Sequence, residues 1–386
     1  MATTTRAIRP QWLSKAALRR VPSISRSTSS FAHLQDELPK REIQPTFEDL
    51  SPQSSYRLDT TLADFLPDTN PPPLLPPTHA TNILPIPHHI VYFEPSRRSS
   101  EMLPDGTNPD HAPGDPFPRR MWAGGRVRYN QDNPLLLDGS RGVMAEFIRN
   151  VTIKGKEGDE KVFVIIERRM AKATLDEVER LTTSSQRIDT ADSKQAKTDL
   201  HHRVRQRLWR HNDEDFGPAS ILETRNIVFM RNRSKAQAAT EASKTATTKI
   251  LKPTHKPDYT HTITPDNKLL FRFSALTFNA HAIHLDPDYS RNVEGHRNLL
   301  FHGPLSYTFL LTLLRQQLGK RGNEVIKSIE YRNVAPLYCH EEVTFCGTQT
   351  GEHKWEVWAQ GPEGGVAVKG SVVTEQGRID KTNLGI

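Results

Sequence analysis

The sequence predicts an α+β fold of two similar units in tandem, each an antiparallel sheet wrapped around a helix. Three observations predict it. GPLSYTFLLTLLRQQLGK (303–320) spells one long apolar helix. Four strand-like segments with turn signals between them follow it, from 324 to 375. The first half repeats the same order, an early helix and then strands. A chain of 386 residues is long enough for two domains of ordinary size. Its hydrophobic fraction of 35 % is low and its 28 prolines are many, so part of it must be tail and linker.

Residues 1–35 carry Arg6, Arg9, Lys15, Arg19, Arg20 and Arg26 and no acidic residue. They hold six of the seven excess positive charges, which leaves the remainder close to neutral. A nucleic-acid binder keeps its basic face on the folded part, so that class is disfavoured. An Arg- and Ser-rich, acid-free leader containing PQWLSKAALRRV, a short amphipathic helix, has the composition of a mitochondrial transit peptide. The expected location is the mitochondrial matrix. No apolar run approaches the roughly 18 residues of a membrane span.

YRLDTTLADFL (56–66) has Leu58, Leu62 and Phe65 at helical spacing. The Pro-rich stretch after it excludes regular helix and central strand. IVYFEP (90–95) reads as a short strand, and 96–118 as loop with turns at Asp105-Gly106 and Asn108-Pro109. RRMWAGGRVRY (119–129) is a compact aromatic-glycine unit. Residues 143–170 read as two strands around GKEGDE, and 221–233 as another. The polar segment 171–220 is expected to be an insertion, and 234–258 a linker between an N-terminal half (36–233) and a C-terminal half (259–386). Both segments are expected to be mobile and dispensable. LLFRFSALTF (269–278) reads as a strand. Cys339 and Cys346 are too few for a metal site and read as buried free thiols.

Chemistry concentrates at 279–303. Asn279, His281 and His284 form N-x-H-x-x-H, and HGPL follows at 302–305. A helix start presents unpaired N–H groups and the positive end of the dipole, and Gly303 lets an oxygen approach closely. That makes an oxyanion site. A nearby imidazole can move a proton. Base plus oxyanion donor is the equipment for enolising a thioester.

FSALTFNAHAIHLD followed by EGHRNLLFHGPL resembles the active-site region of MaoC-like hot-dog hydratases and dehydratases. Within them it is most similar to mitochondrial hydroxyacyl-thioester dehydratase type 2, fungal branch. RRMWAGGRVRY resembles the N-terminal half of that group, and the likeness covers 55–170 and 221–375. The resemblance implies a double hot-dog fold and a hydro-lyase. Its substrates would be (3R)-3-hydroxyacyl thioesters on acyl carrier protein or CoA, dehydrated in mitochondrial type II fatty-acid synthesis, with no cofactor. Hydration of a branched dicarboxyl-CoA such as mesaconyl-CoA uses the same machinery. A non-catalytic acyl-binding protein is the alternative from another class. No nucleic acid and no stable membrane insertion are implied, and a homodimer is one assembly compatible with the group. The relatives carry Gly-Asp-x-Asn-Pro-x-His. Laid on this chain, their Asp falls at Asn279, their Asn at His281, their Pro at Ala282 and their His at His284. Their helix-starting Gly falls at Gly303. The base is therefore kept and the acid is not. His302, Pro304, Trp122 and Gly124 are expected to border the substrate, with His302, Trp122 and Gly124 also shaping the fold.

Overall fold

The computed structural model describes residues 30–67, 82–185, 191–243 and 251–377. Most of the expected leader, part of the Pro-rich stretch and the middle of the expected linker lie outside these residues.

Ten strands form one antiparallel sheet. They are β1 (Thr46–Asp49), β2 (Arg119–Tyr129), β3 (Arg141–Lys154), β4 (Lys161–Lys172), β5 (Ile221–Met230), β6 (Tyr259–Ile263), β7 (Glu324–Asn333), β8 (Val343–Gly351), β9 (Lys354–Gln360) and β10 (Val366–Gln376). The order across the sheet is β1-β3-β4-β5-β2-β7-β10-β9-β8-β6. Each half repeats one pattern. A short strand flanks the second long strand, and the first long strand closes the half next to the fourth. The first long strands, β2 and β7, pair with each other from Gly124↔Arg332 to Arg128↔Ser328 and join the halves. The architecture is a double hot-dog.

The helices are α1 (Leu34–Glu37), α2 (Pro52–Leu62), α3 (Leu175–Ser185), α4 (Ala191–Leu208), α5 (Lys235–Ser243), α6 (Asn267–Leu276), α7 (Pro287–Asn292) and α8 (Gly303–Arg321). α8 is buried as its all-round apolarity predicts, through Leu305, Phe309, Leu310, Leu311, Leu313 and Leu314. Pro304 sits in its first turn, where a missing N–H leaves no bond unmade. In the N-terminal half the described residues between α2 and β2 form no long helix. Pro85 and Pro87 interrupt this stretch, and a 3-10 turn at His88–Val91 carries Ile90 and Val91 into the same core as α8.

Five segments depart from the sequence reading. LLFRFSALTF is helical over most of its length, not a strand. Asp266 caps α6 by accepting from the N–H of Leu269 at 2.8 Å. A strand would put Phe271 and Phe273 on one face, yet Phe271 is 63 % exposed and Phe273 is 0 %. IVYFEP is likewise not a strand but begins inside the 3-10 turn. Segment 171–220 is docked rather than loose. Leu200, Val204 and Leu208 of α4 recur at helical spacing and pack on Val143, Ala145, Phe147 and Ala171 of the sheet. The guanidinium of Arg205 donates to the carbonyls of Ile43 and Glu146, both at 2.8 Å. The start of the expected linker is α5, which buries Ala238 completely. At the other end, Phe31 and Leu34, inside the span expected as leader, pack with Phe117, Val162 and Phe229.

The docking of α4 predicts that Leu200→Ala destabilises the protein by about 2–5 kcal/mol, the usual result of emptying a fully buried leucine site. Urea unfolding followed by circular dichroism measures it. A change within experimental error would mean that α4 contributes nothing to the core.

Candidate active site

α6 ends at Leu276 and the chain turns sharply, with Phe278 at φ 46°. Asn279 Oδ1 then accepts from the N–H of His281 at 3.0 Å, so Asn279 builds the turn with its oxygen and leaves its amide nitrogen free to donate. One 3-10 turn, Ala282–His284, carries His284 into the protein.

His284 Nδ1 lies 2.8 Å from the carbonyl oxygen of Leu300. A carbonyl only accepts, so Nδ1 carries the proton and Nε2 is left as the basic nitrogen. The ring of His302 stacks on that of His284, with centroids 3.7 Å apart and planes at 18°. His302 is itself held by a 2.8 Å bond between Nε2 and the hydroxyl of Ser274. The imidazole of His284 is therefore fixed in tautomer, plane and position. Burial pushes its pKa down to about 4, with the Leu300 carbonyl opposing, so it is neutral and able to take a proton at neutral pH.

His281 stands edge-on to His284, with centroids 5.7 Å apart. Its Nε2 faces Asp105 Oδ2 at 3.5 Å, and neither atom has a hydrogen-bond partner. Burial, and then the charges of His284 and Arg120, hold His281 well below its ordinary pKa despite that carboxylate. The pair is a neutral imidazole facing a carboxylate.

Asp105 comes from the other half of the molecule. Its Oδ1 accepts from the N–H and hydroxyl of Thr107 at 3.0 and 2.5 Å. Its carbonyl accepts from the N–H of Ala282 at 2.9 Å. Gly106, at φ +79°, lies so close to Ala280 that an added Cβ would be 2.1 Å from the Ala280 carbonyl oxygen. The Asp-Gly turn thus locks a carboxylate beside the histidines, whose own stretch 279–284 carries none. Sequence reasoning took that dipeptide for a turn only. Nothing local distinguishes a turn aspartate from one docked on a distant segment.

A cavity of about 420 Å³ lies between the halves. Asn279, His281, His284, Gly303, Pro304 and Trp122 line it. Gly303 opens α8, where the first N–H groups have no intrahelical acceptor. An added Cβ there would be 2.7 Å from Asn333 Nδ2. Asn333 in turn donates to the carbonyl of Trp122 at 2.8 Å, and Trp122 Nε1 donates to the hydroxyl of Tyr331 at 3.0 Å. Two expected residues stand back from the cavity. His302 lies behind His284. Gly124, at φ +139° in the bulge of β2, approaches the backbone of Tyr331 too closely for any side chain. Cys339 and Cys346 are buried free thiols away from the cavity. Among the described residues no cluster of three or more His, Cys, Asp or Glu could hold a metal.

Arginines mark the cavity's N-terminal side, unannounced by any sequence motif. Arg119 pairs with Glu294 at 2.6 Å. Arg225 pairs with Glu223 at 2.8 Å and with Glu94 at 3.3 Å, and its guanidinium lies over the ring of Trp122. Burial raises Glu94 to about 7, with Arg168 opposing.

The family model for hydroxyacyl-thioester dehydratase type 2 matches residues 87–188 and 177–339. Mesaconyl-C(4)-CoA hydratase of Chloroflexus aurantiacus is 30 % identical over 304 residues, covering 78 % of this chain and 87 % of the relative. The mitochondrial hydroxyacyl-thioester dehydratase type 2 of Schizosaccharomyces pombe is 24 % identical over 268 residues, covering 68 % and 77 %. A crystal structure of a MaoC-like dehydratase from Phytophthora capsici aligns with a TM-score of 0.48 at 14 % identity, covering 89 % of this chain and 99 % of that one. The chain belongs to the hydroxyacyl-thioester dehydratase type 2 family of MaoC-like hydro-lyases.

Proposed function

We propose that the protein interconverts a 3-hydroxyacyl thioester and its trans-2-enoyl thioester by loss or addition of water. The observation that carries this reading is the neutral, tautomer-locked His284 beside the open helix start at Gly303, both facing one cavity. In the dehydration direction, His284 Nε2 takes the C2 proton. The N–H of Gly303 holds the thioester oxygen as it gains charge. The free amide nitrogen of Asn279 and the ring of His281 orient the 3-hydroxyl, and Asp105 holds His281 in place. As the C3–O bond breaks, the proton on His284 passes to the departing oxygen and water leaves. Base and acid are then one residue, so the Asp-to-Asn change in the motif does not abolish the chemistry.

Two substrate classes suit this machinery. One is the (3R)-3-hydroxyacyl chain of mitochondrial type II fatty-acid synthesis, carried on acyl carrier protein. The basic, acid-free leader and the mitochondrial fungal relatives support it. The other is a CoA thioester whose acyl group bears a carboxyl, as the name of the Chloroflexus relative indicates for that enzyme. The arginines of the cavity favour it.

Hydration of crotonyl-CoA, followed as loss of the enoyl-thioester absorbance, tests the reaction. His284→Ala is expected to lose about 10²–10⁴-fold in rate with the fold intact by circular dichroism. His281→Ala should be intermediate. Asn279→Asp should be tolerated, since its oxygen still accepts from the N–H of His281. A folded His284→Ala protein with full activity would rule out His284 as the base, and a folded wild-type protein without activity would leave the non-catalytic, acyl-binding reading.

The pH profile gives a second test. His284 must be neutral to act, and its pKa is lowered in the fold, so the free base persists as the pH falls from 7 and is lost near 4. The acid limb of kcat/KM should therefore have its midpoint well below the ordinary histidine value of about 6.5. A midpoint at 6.5 would rule out His284 as the base.

The location has its own test. Residues 1–40 fused to a fluorescent reporter are expected to direct it to mitochondria, and a diffuse cytosolic signal would remove the fatty-acid-synthesis setting.

A further inference from the structure

Among the described arginines that line the cavity, Arg119, Arg225, Arg97 and Arg233 each have a carboxylate partner: Glu294, Glu223, Asp110 and Glu241 respectively. Arg120 forms no such pair. Its Nη1 donates to the carbonyl of Asn108 at 3.0 Å, and its guanidinium lies 5.0 Å from the ring centroid of Phe229. Its Nε and Nη2 are shielded from solvent and have no hydrogen-bond partner. These two nitrogens form one edge of the guanidinium, the edge whose parallel N–H groups match the two oxygens of a carboxylate. Asp105, a carboxylate packed beside His281 of the same cavity wall, spends Oδ1 on Thr107 and turns Oδ2 to His281. A buried guanidinium with an open edge is unfavourable unless something fills it.

From this geometry we infer that Arg120 reads a carboxylate on the acyl group of the substrate. The inference rests on the hydro-lyase reading and selects the second of its two substrate classes. Arg120, Asn279 and His281 line one cavity, so Arg120 borders the chamber in which the 3-hydroxyl is held. That places the recognised anion on the acyl group. The phosphates of the carrier arm are a pantetheine length away from the thioester and stay at the mouth of the cavity, whereas the open edge is buried. The cavity's own carboxylates do not compete for Arg120. Glu94 and Glu146 are tied to Arg168, and Glu294 to Arg119.

Binding of saturated thioesters, which cannot be hydrated, tests the inference separately from the reaction. Calorimetric Kd values are compared within pairs of equal chain length: succinyl- with butyryl-CoA, glutaryl- with valeryl-CoA, and adipyl- with hexanoyl-CoA. Both members of a pair carry the same phosphates, so binding of the carrier cancels. At least one carboxyl-ended member should bind about 10–100-fold more tightly than its methyl-ended partner, the range expected for hydrogen bonds to a charged group. Arg120→Met should erase that preference. Arg120→Lys, which keeps the charge and loses the fork, should retain only part of it. A wild-type protein with no preference in any pair overturns the inference, as does a preference that survives in Arg120→Met. The wild-type comparison stands even if a variant does not fold. Failure to hydrate crotonyl-CoA would instead count against the reaction.

Discussion

The rest of the structure depends on the pairing of β2 with β7. Five residue pairs, from Gly124↔Arg332 to Arg128↔Ser328, turn two half-sheets into one ladder of ten strands. Backbone bonds of this kind fix register, because a slip of one residue would exchange the faces of every strand. Gly124 makes the close approach at the end of the ladder practicable. Just beyond it, Trp122 and Asn333 bond to each other across the seam and stand against the start of α8. The candidate oxyanion donor is thus held by the same junction that unites the halves. A site on rigid elements is better fixed than one on loops alone.

The halves share a strand order but not their contents. The C-terminal half has the long buried helix, the histidines and the helix start. The N-terminal half has a proline-broken path, a docked pair of helices and a buried ionic cluster. In that cluster Arg168 is fully buried among Glu94, Glu146 and Glu223. Such groups are stable only as a set, since removing one partner leaves a charge without compensation. That half gives the cavity its charged wall, while the other gives it the proposed base and the proposed donor.

Much of the sheet was legible because its strands are rich in β-branched residues and bounded by turn residues, and α8 because Pro304 and its apolarity agree. α6 was not, because Phe-Arg-Phe at 271–273 imitates alternation, and the Asp266 cap that settles the matter lies outside the window that suggests a strand. α4 was missed because Leu200, Val204 and Leu208 are sparse among charged residues, and only the sheet face opposite them shows what they are for. Of the residues that line the candidate site, His284, His281, Asn279 and Gly303 stand out in the sequence because they are close together and each has a distinct chemical capacity. Asp105 and Arg120 do not. They become neighbours of the histidines only when the halves close on each other, more than 150 residues apart in the chain.

The contact of Gly106 with Ala280 has a consequence for how such a protein can change over generations. With no room there for even a methyl group, and with the clash made by the backbone carbonyl of residue 280, Gly106 is held fixed whatever side chain stands at 280. A duplicated chain usually frees one copy to drift. Here the N-terminal half is instead tied to the other, since it brings Asp105 against His281 of the C-terminal half. A recombinant that kept the 279–284 histidines but lost the Asp105-Gly106 turn would inherit His281 without the carboxylate that faces it.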